Sequence, residues 1–307
     1  MSQKVLTVTQ AKHKINTFGK ALILYVIILT VFRYGMSLIE KFLPEVFFGY
    51  DSRMYIYIGL NLLLLLLSFI PFTISAKKLD INIKNYYKKI EISKAEIFKC
   101  SLYAIGINFI TTSLMMIFSF FFNVKTISVS FLGNFTSVEM IIANIAYFIY
   151  MVITKPFCDE YAFRGVIQRS LGMFGRYFGV FASAILYALA QGNLIQAVPA
   201  FFIGIFLSMV SLKYHSIRPT IYIQSISAFY FYLINIIPNS FYWIVPVSVI
   251  IIYIFIGFSL FLRHRDLNFD FLAIGNKKLW KILFTSKSII MLVIIFIINV
   301  VLSFTNW

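Results

Sequence analysis

Runs of about twenty apolar residues, each closed off by lysine or arginine, recur along the chain. A helix needs roughly that many residues to cross a hydrocarbon core about 30 Å thick, so the pattern predicts membrane-spanning helices. The runs fall near 19–38, 54–75, 100–122, 140–160, 177–192, 195–212, 219–237, 241–262 and 288–305. The two around 177–212 are short and separated only by Gly192 and Asn193. Lys4, Lys12, Lys14 and Lys20 precede the first run with no small-residue cleavage site after it, which reads as an uncleaved helix rather than a signal peptide. The expected fold is all-α, a polytopic transmembrane helical bundle of about nine spans with the N-terminus inside. No fixed-period repeat and no matched pair of interrupted spans is visible, which disfavours a two-fold transporter of solutes or lipids.

Composition agrees. Of 307 residues, 61% are hydrophobic and only 12% charged, and the 35 phenylalanines nearly equal the 38 Lys, Arg, Asp and Glu side chains together. A soluble enzyme, a secreted disulfide scaffold and a disordered chain are excluded. Two cysteines, Cys100 and Cys158, give no disulfide framework.

The net charge of +16 changes meaning once it is mapped on the spans. With the N-terminus inside, the cytoplasmic segments hold the four N-terminal lysines, the seven lysines from Lys77 to Lys99, Arg164, Arg169, Arg176, Lys213, Arg218, Arg263, Arg265, Lys277, Lys278, Lys281 and Lys287. The outer segments hold only Lys41, Arg53 and Lys125, and Trp307 falls outside. That asymmetry follows the positive-inside rule. Membrane lipids with anionic headgroups are the expected counterions, and nucleic acid is not an expected partner. The stretch Lys77–Lys99 reads either as an interfacial amphipathic helix or as a solvated connector. Trp243, Trp280 and Trp307 read as interfacial anchors and packing.

A carboxylate inside a span costs about 2.5–3.5 kcal/mol on insertion scales, so acids near apolar runs are where function is sought. Between Glu96 and Asp266 there are only Glu139 and the adjacent Asp159 and Glu160. The pair is expected at the cytoplasmic end of the fourth span, with Pro156 kinking the helix just ahead of it. Glu160 and Arg164 are spaced for an intrahelical ion pair, a structural explanation for half of the run. Asp159 points about 100° away and does not share that arginine easily. Two neighbouring carboxylates in low dielectric repel, which favours one as a proton acceptor near neutral pH.

The run Asp159-Glu160-x-x-Phe163-Arg164-Gly165 resembles the first motif of the CAAX-protease and bacteriocin-processing family, also called the Abi family, with Pro156 and Gln168 in fitting places. Tyr187-Ala188-Leu189-Ala190-Gln191-Gly192-Asn193 resembles its second motif, with Tyr for Phe and Gln for His. Ser216-Ile217-Arg218-Pro219 and Ile221 resemble the lead-in to the third, placing Gln224 at its His and Ala228 at its Asn or Asp. The resemblance covers about 140–235 and marks 140–237 as the core between N-terminal helices (1–139) and C-terminal helices (238–307). It implies an intramembrane peptidase in which a glutamate and histidines activate a water near the cytoplasmic side. It also implies membership among prenyl endopeptidases or proteins of bacteriocin maturation and self-immunity.

The departures fall on the chemistry. A carboxamide does not titrate, so Gln191 and Gln224 forgo general acid–base help of roughly 10²–10⁴-fold. Asp159 retracts its carboxylate, and about 1 Å of misplacement costs on the order of 10²-fold. The expectation is a catalytically impaired pseudo-peptidase acting through binding, in bacteriocin self-immunity or control of a membrane protein or peptide partner. The alternative is an active glutamic endopeptidase using Asp159 or Glu160 as base, Arg164 to orient it, and Gln191 and Gln224 to hold water or the carbonyl oxygen. The glutamines also have a plain structural reading, as hydrogen bonds between helices worth about 0.6–2 kcal/mol. No cofactor is expected, and no zinc-binding histidine pattern occurs. His13, His215 and His264 read as loop residues, with His215 the one nearest to Gln224 along the chain. Cys158 lacks a base and Cys100 reads as packing. The expected location is a bacterial plasma membrane, multi-pass.

Overall fold

The computed structural model describes residues 8–42, 59, 63, 65–66, 69–87, 92–122, 137–237, 241, 244–262 and 277–304. Polar side chains at the ends of the apolar runs set the helix starts. Ser93 Oγ accepts from Glu96 N at 3.1 Å, Ser137 Oγ from Met140 N at 3.2 Å, and Asn193 Oδ1 from Ile195 N at 2.8 Å, each satisfying an otherwise orphaned first-turn donor. The helices are α1 (Val8–Phe42), α2 (69–78), α3 (Lys94–Phe122), α4 (described below), α5 (Arg176–Ala190), α6 (Leu194–Tyr214), α7 (Arg218–Ile236), α8 (Ile244–Leu262), α9 (Lys277–Phe284) and α10 (Lys287–Phe304). Among the described residues there is no strand. The break between α5 and α6 turns on Gly192 at φ 60°, and α6 stops at His215 in the left-handed region at φ 49°.

Three of these helices are long and apolar enough to cross a membrane: Lys94–Phe122, Met140–Gly172 and Leu194–Tyr214. A fourth crossing results if Lys277–Phe284 and Lys287–Ser303, bent by 68°, act as one broken span. This is a helical membrane protein. The apolar run at 177–192 forms α5, whose 15 residues are fewer than the roughly 20 a single crossing takes. The run at 54–75 lies largely outside the described residues.

The fourth run extends further than its hydrophobicity predicts. α4 begins as Val138–Phe148, passes through a π-helical stretch Ile149–Thr154, returns to α-helix at Lys155–Glu160, takes a second π-helical stretch Tyr161–Ile167, and ends with Gln168–Gly172. Pro156 has no N–H to give its preceding turn, and the wide turn just before it absorbs that loss without ending the helix. Thr154 Oγ1 donating to Ile149 O at 3.2 Å, five residues back, closes the widened turn. Asp159 and Glu160 therefore lie well inside α4 rather than at its end.

The core sits where α1, α4, α5 and α6 meet. α5 and α6 approach closely because residue 204 is Gly: a Cβ there would stand 3.2 Å from Ala184 Cα. Ser183 and Ser208 Oγ atoms join at 3.2 Å across the same seam. Phe163, Val166, Ile167, Leu171, Leu186 and Leu207 fill the space between. α3 covers α6 and α7, and α10 covers α1. Outward faces are apolar, with Phe120, Phe121, Ile251 and Ile254 exposed, as lipid contact requires.

The basic connector after α2 is folded onto the helix ends over the described part, 81–87. Ile217 N donates to Tyr86 O at 2.9 Å, Arg169 stacks 4.3 Å over the Tyr86 ring, and Arg218 5.0 Å over Tyr87. Trp280 packs against Phe178 with centroids 5.0 Å apart, while Trp243 and Trp307 lie outside the described residues.

Candidate functional site

Asp159 and Glu160 are adjacent on α4 and fully buried, and each has its own cation. Lys155, one turn before Asp159, brings Nζ to 2.7 Å from Oδ2. Arg164, one turn after Glu160, brings Nη1 to 3.0 Å from Oε1. A buried charge is tolerated only when paired, so the run Lys155–Arg164 carries two neutralised pairs in series. The repulsion that would leave one carboxylate as a free base is offset on both sides.

Four helices converge on these pairs. Tyr25 of α1 donates its hydroxyl toward Asp159 Oδ1 at 3.4 Å, and Tyr187 of α5 toward Oδ2 at 3.4 Å. Gln224 of α7 donates from Nε2 to the same Tyr187 hydroxyl at 3.3 Å. Arg164 donates from Nη2 to Gly204 O of α6 at 3.3 Å and lies 4.7 Å from the centre of the Tyr187 ring. Tyr187 thus joins the two pairs, its hydroxyl serving Asp159 and its face serving Arg164.

On the far side of Tyr187 is a cavity of about 600 Å³ between α3, α4, α5, α6 and α7. Six carboxamides line it: Asn108, Gln191, Asn193, Gln196, Gln224 and Asn235. Lys155 forms part of the wall, and so does Tyr187. A neighbouring cavity of about 330 Å³ shares Asn108, Lys155, Gln224 and Ser227 with it and adds Ala228. Asp159, Glu160 and Arg164 line neither cavity.

The five candidate residues therefore divide. Asp159, Glu160 and Arg164 form the closed polar layer, whereas Gln191 and Gln224 face the cavity. Gln224 is tied to the acids through Tyr187. Gln191 Nε2 instead donates to Tyr187 O of its own helix at 3.2 Å. His13 and His215 are exposed and His264 lies outside the described residues. Both cysteines are buried and neither forms a disulfide.

Three contributors were given no role by the motif reading. Lys155 was open to discovery by its spacing of four from Asp159. Tyr187 was visible as the polar substitute for the motif's phenylalanine, and its hydroxyl now holds the glutamine that stands for histidine. Tyr25 is 134 residues from Asp159, and no local spacing announces it.

Residues 141–230 match the family model described as type II CAAX prenyl endopeptidase Rce1-like. That stretch is similar to the Rce1-like family. It contains both acids, Arg164, Tyr187 and the cavity-lining Gln191, Gln196 and Gln224, whereas Tyr25 and Asn108 reach in from outside it. No curated protein and no solved structure matches the chain. The matched segment thus lies within a helical membrane protein.

Proposed function

We propose that the chain is a pseudo-peptidase: it holds a peptide or a membrane partner in the amide-lined cavity without hydrolysing it. The observation that carries the reading is the position of Tyr187 and Lys155, which stand between the cavity and two fully buried, ion-paired carboxylates. Hydrolysis needs a base within hydrogen-bond reach of the attacking water. The side chains that line the cavity offer carboxamides, hydroxyls and an ammonium already paired with Asp159, none of which takes a proton from water near neutral pH. Bacteriocin self-immunity or regulation of a membrane partner in a bacterial plasma membrane fits binding without turnover.

The test uses purified protein in lipid nanodiscs with a farnesylated CAAX-type peptide, the substrate class named by the family match. Mass spectrometry is expected to recover the peptide uncleaved, and crosslinking pull-down from native membrane to recover a partner. Cleavage by the wild type that Glu160→Gln abolishes, with the protein still folded, overturns the reading in favour of an active endopeptidase.

A further inference from the structure

The lining of the larger cavity is spread unevenly along its helices. On α6 it runs from Gln196 to Leu207, on α7 from Asn235 to Gln224, and on α3 from Met116 to Ala104. Gln196, Asn235 and Met116 are exposed, whereas Leu207 and Ala104 are fully buried. Leu207 stands about 16 Å along α6 from Gln196 at 1.5 Å per residue, so the cavity deepens from an open end toward a closed one. On each helix the lining stops more than a turn short of the end that carries Lys213, Arg218 or Lys99. The stretch between that floor and the basic end is shut. Ser101, Ser211, Thr220 and Ile223 are buried there. Glu96 Oε1 accepts from Lys213 Nζ and from the Tyr214 hydroxyl, both at 3.3 Å, tying α6 to α3, and Ile217 N holds Tyr86 O of the connector at 2.9 Å.

The open end is polar and uncharged. Gln196 and Asn235 are exposed carboxamides at its rim. Among the described residues Lys155 is the one charged group in the lining, and its Nζ is held by Asp159 at 2.7 Å. A lipid chain laid along this wall would cover carboxamides without bonding them, which is unfavourable. A charged ligand would find no counterion of its own. An uncharged polypeptide segment meets neither obstacle, because each residue other than proline brings one N–H and one C=O that pair with carboxamides.

We infer that the cavity is an outward-facing docking site, entered past Gln196 and Asn235 by an uncharged segment of an extracytoplasmic polypeptide. The direction follows from charge: Lys94, Lys99, Lys213 and Arg218 mark the closed end as cytoplasmic under the positive-inside rule, which leaves the mouth on the outer face. This rests on the binding reading above and names the side and the class of the partner. It departs from the resemblance, which implied chemistry near the cytoplasmic side. A cytoplasmic peptide would have to cross the layer of Ser101, Ser211, Thr220 and Ile223 to reach Gln224.

The experiment maps access in sealed membrane vesicles, right-side-out and inside-out, that carry the full chain with one cysteine introduced at a time. A membrane-impermeant maleimide is expected to label Gln196→Cys from the outer face alone and Lys213→Cys from the inner face alone. Cys100 and Cys158 are buried and supply the unlabelled background. Asn108→Cys, half-buried in the cavity wall, is expected to label from the outer face, and Thr112→Cys on the same wall takes its place if thermal unfolding shows the first variant misfolded. A pool of short uncharged peptides capped at both ends is then expected to slow outer-face labelling of Asn108→Cys saturably, by about fivefold, through occupancy. A matched pool bearing Lys and Asp is expected to leave the rate unchanged. Labelling of Asn108→Cys from the inner face, or of Lys213→Cys from the outer, overturns the direction. No protection by the uncharged pool, or equal protection by the charged one, overturns the partner class; labelling that rises when detergent strips the lipid then identifies a lipid occupant. Peptide cleavage, followed by mass spectrometry in the same vesicles, bears instead on the non-hydrolytic reading and leaves the direction of entry intact.

Discussion

Lys155 Nζ lies 2.7 Å from Asp159 Oδ2, with the acid 1% exposed and the lysine 27% exposed. The lysine therefore spans from the cavity wall to a carboxylate that the cavity does not reach. Lys155→Met would leave Asp159 with only the two 3.4 Å tyrosine contacts. Removing one partner of a buried pair costs about 3–5 kcal/mol, and the partial exposure of Lys155 reduces that to about 2–4 kcal/mol here. Thermal unfolding in detergent is expected to show the loss, and Lys155→Met with Asp159→Asn to recover most of it. A single variant as stable as wild type would show that the ion pair contributes nothing.

Glu160 and Arg164 form the deeper pair, 0% and 1% exposed, so Glu160→Gln strands a guanidinium in a fully dry site. A loss of about 3–5 kcal/mol is expected, read as reduced abundance in the membrane, with Arg164→Met in the same chain restoring it. In the binding reading any phenotype of Glu160→Gln follows the amount of folded protein. Lost cleavage at normal abundance would contradict it.

The runs near 100–122, 140–160 and 195–212 were legible as membrane-length helices because lipid imposes length and composition on a helix with little regard to its neighbours. The Glu160–Arg164 pair was legible for a similar reason, since a spacing of four is a property of one helix. The course of α4 past Pro156 was not, because π-helical stretches leave no periodic mark that a proline-based stop rule can see. Nor was the Asp159 environment, which depends on Tyr25 from a distant helix and on a lysine that topology alone leaves unassigned.

Tyr187 separates the acids from the cavity, which sets an order on restoring chemistry. Asp159→Glu, Gln191→His and Gln224→His together supply the family's residue types but leave the Tyr187 hydroxyl bound to the acid. That triple variant is expected to remain without measurable peptide cleavage. Adding Tyr187→Phe removes the hydroxyl that bridges Asp159 and Gln224, and turnover is expected only in this fourfold variant. Activity in the triple variant would show that the hydroxyl does not close the site.

Gly179 of α5 and Gly204 of α6 should separate stability from binding. At Gly179 a Cβ would stand 2.8 Å from both Cα and N of Gly172, backbone atoms that cannot rotate aside. Gly179→Ala must therefore move α5 away from the end of α4, at a cost of at least the 1–3 kcal/mol typical of overpacking. At Gly204 the same atom meets Ala184 Cα and Cβ at 3.2 Å and Tyr187 Cδ1 at 3.4 Å, a smaller intrusion directed at the residue that holds Gln224. Gly204→Ala is expected to leave unfolding nearer to wild type than Gly179→Ala does while weakening peptide binding in the cavity several-fold. Equal losses of stability in the two variants, with binding unchanged in Gly204→Ala, would show that Tyr187 does not transmit helix spacing to the cavity.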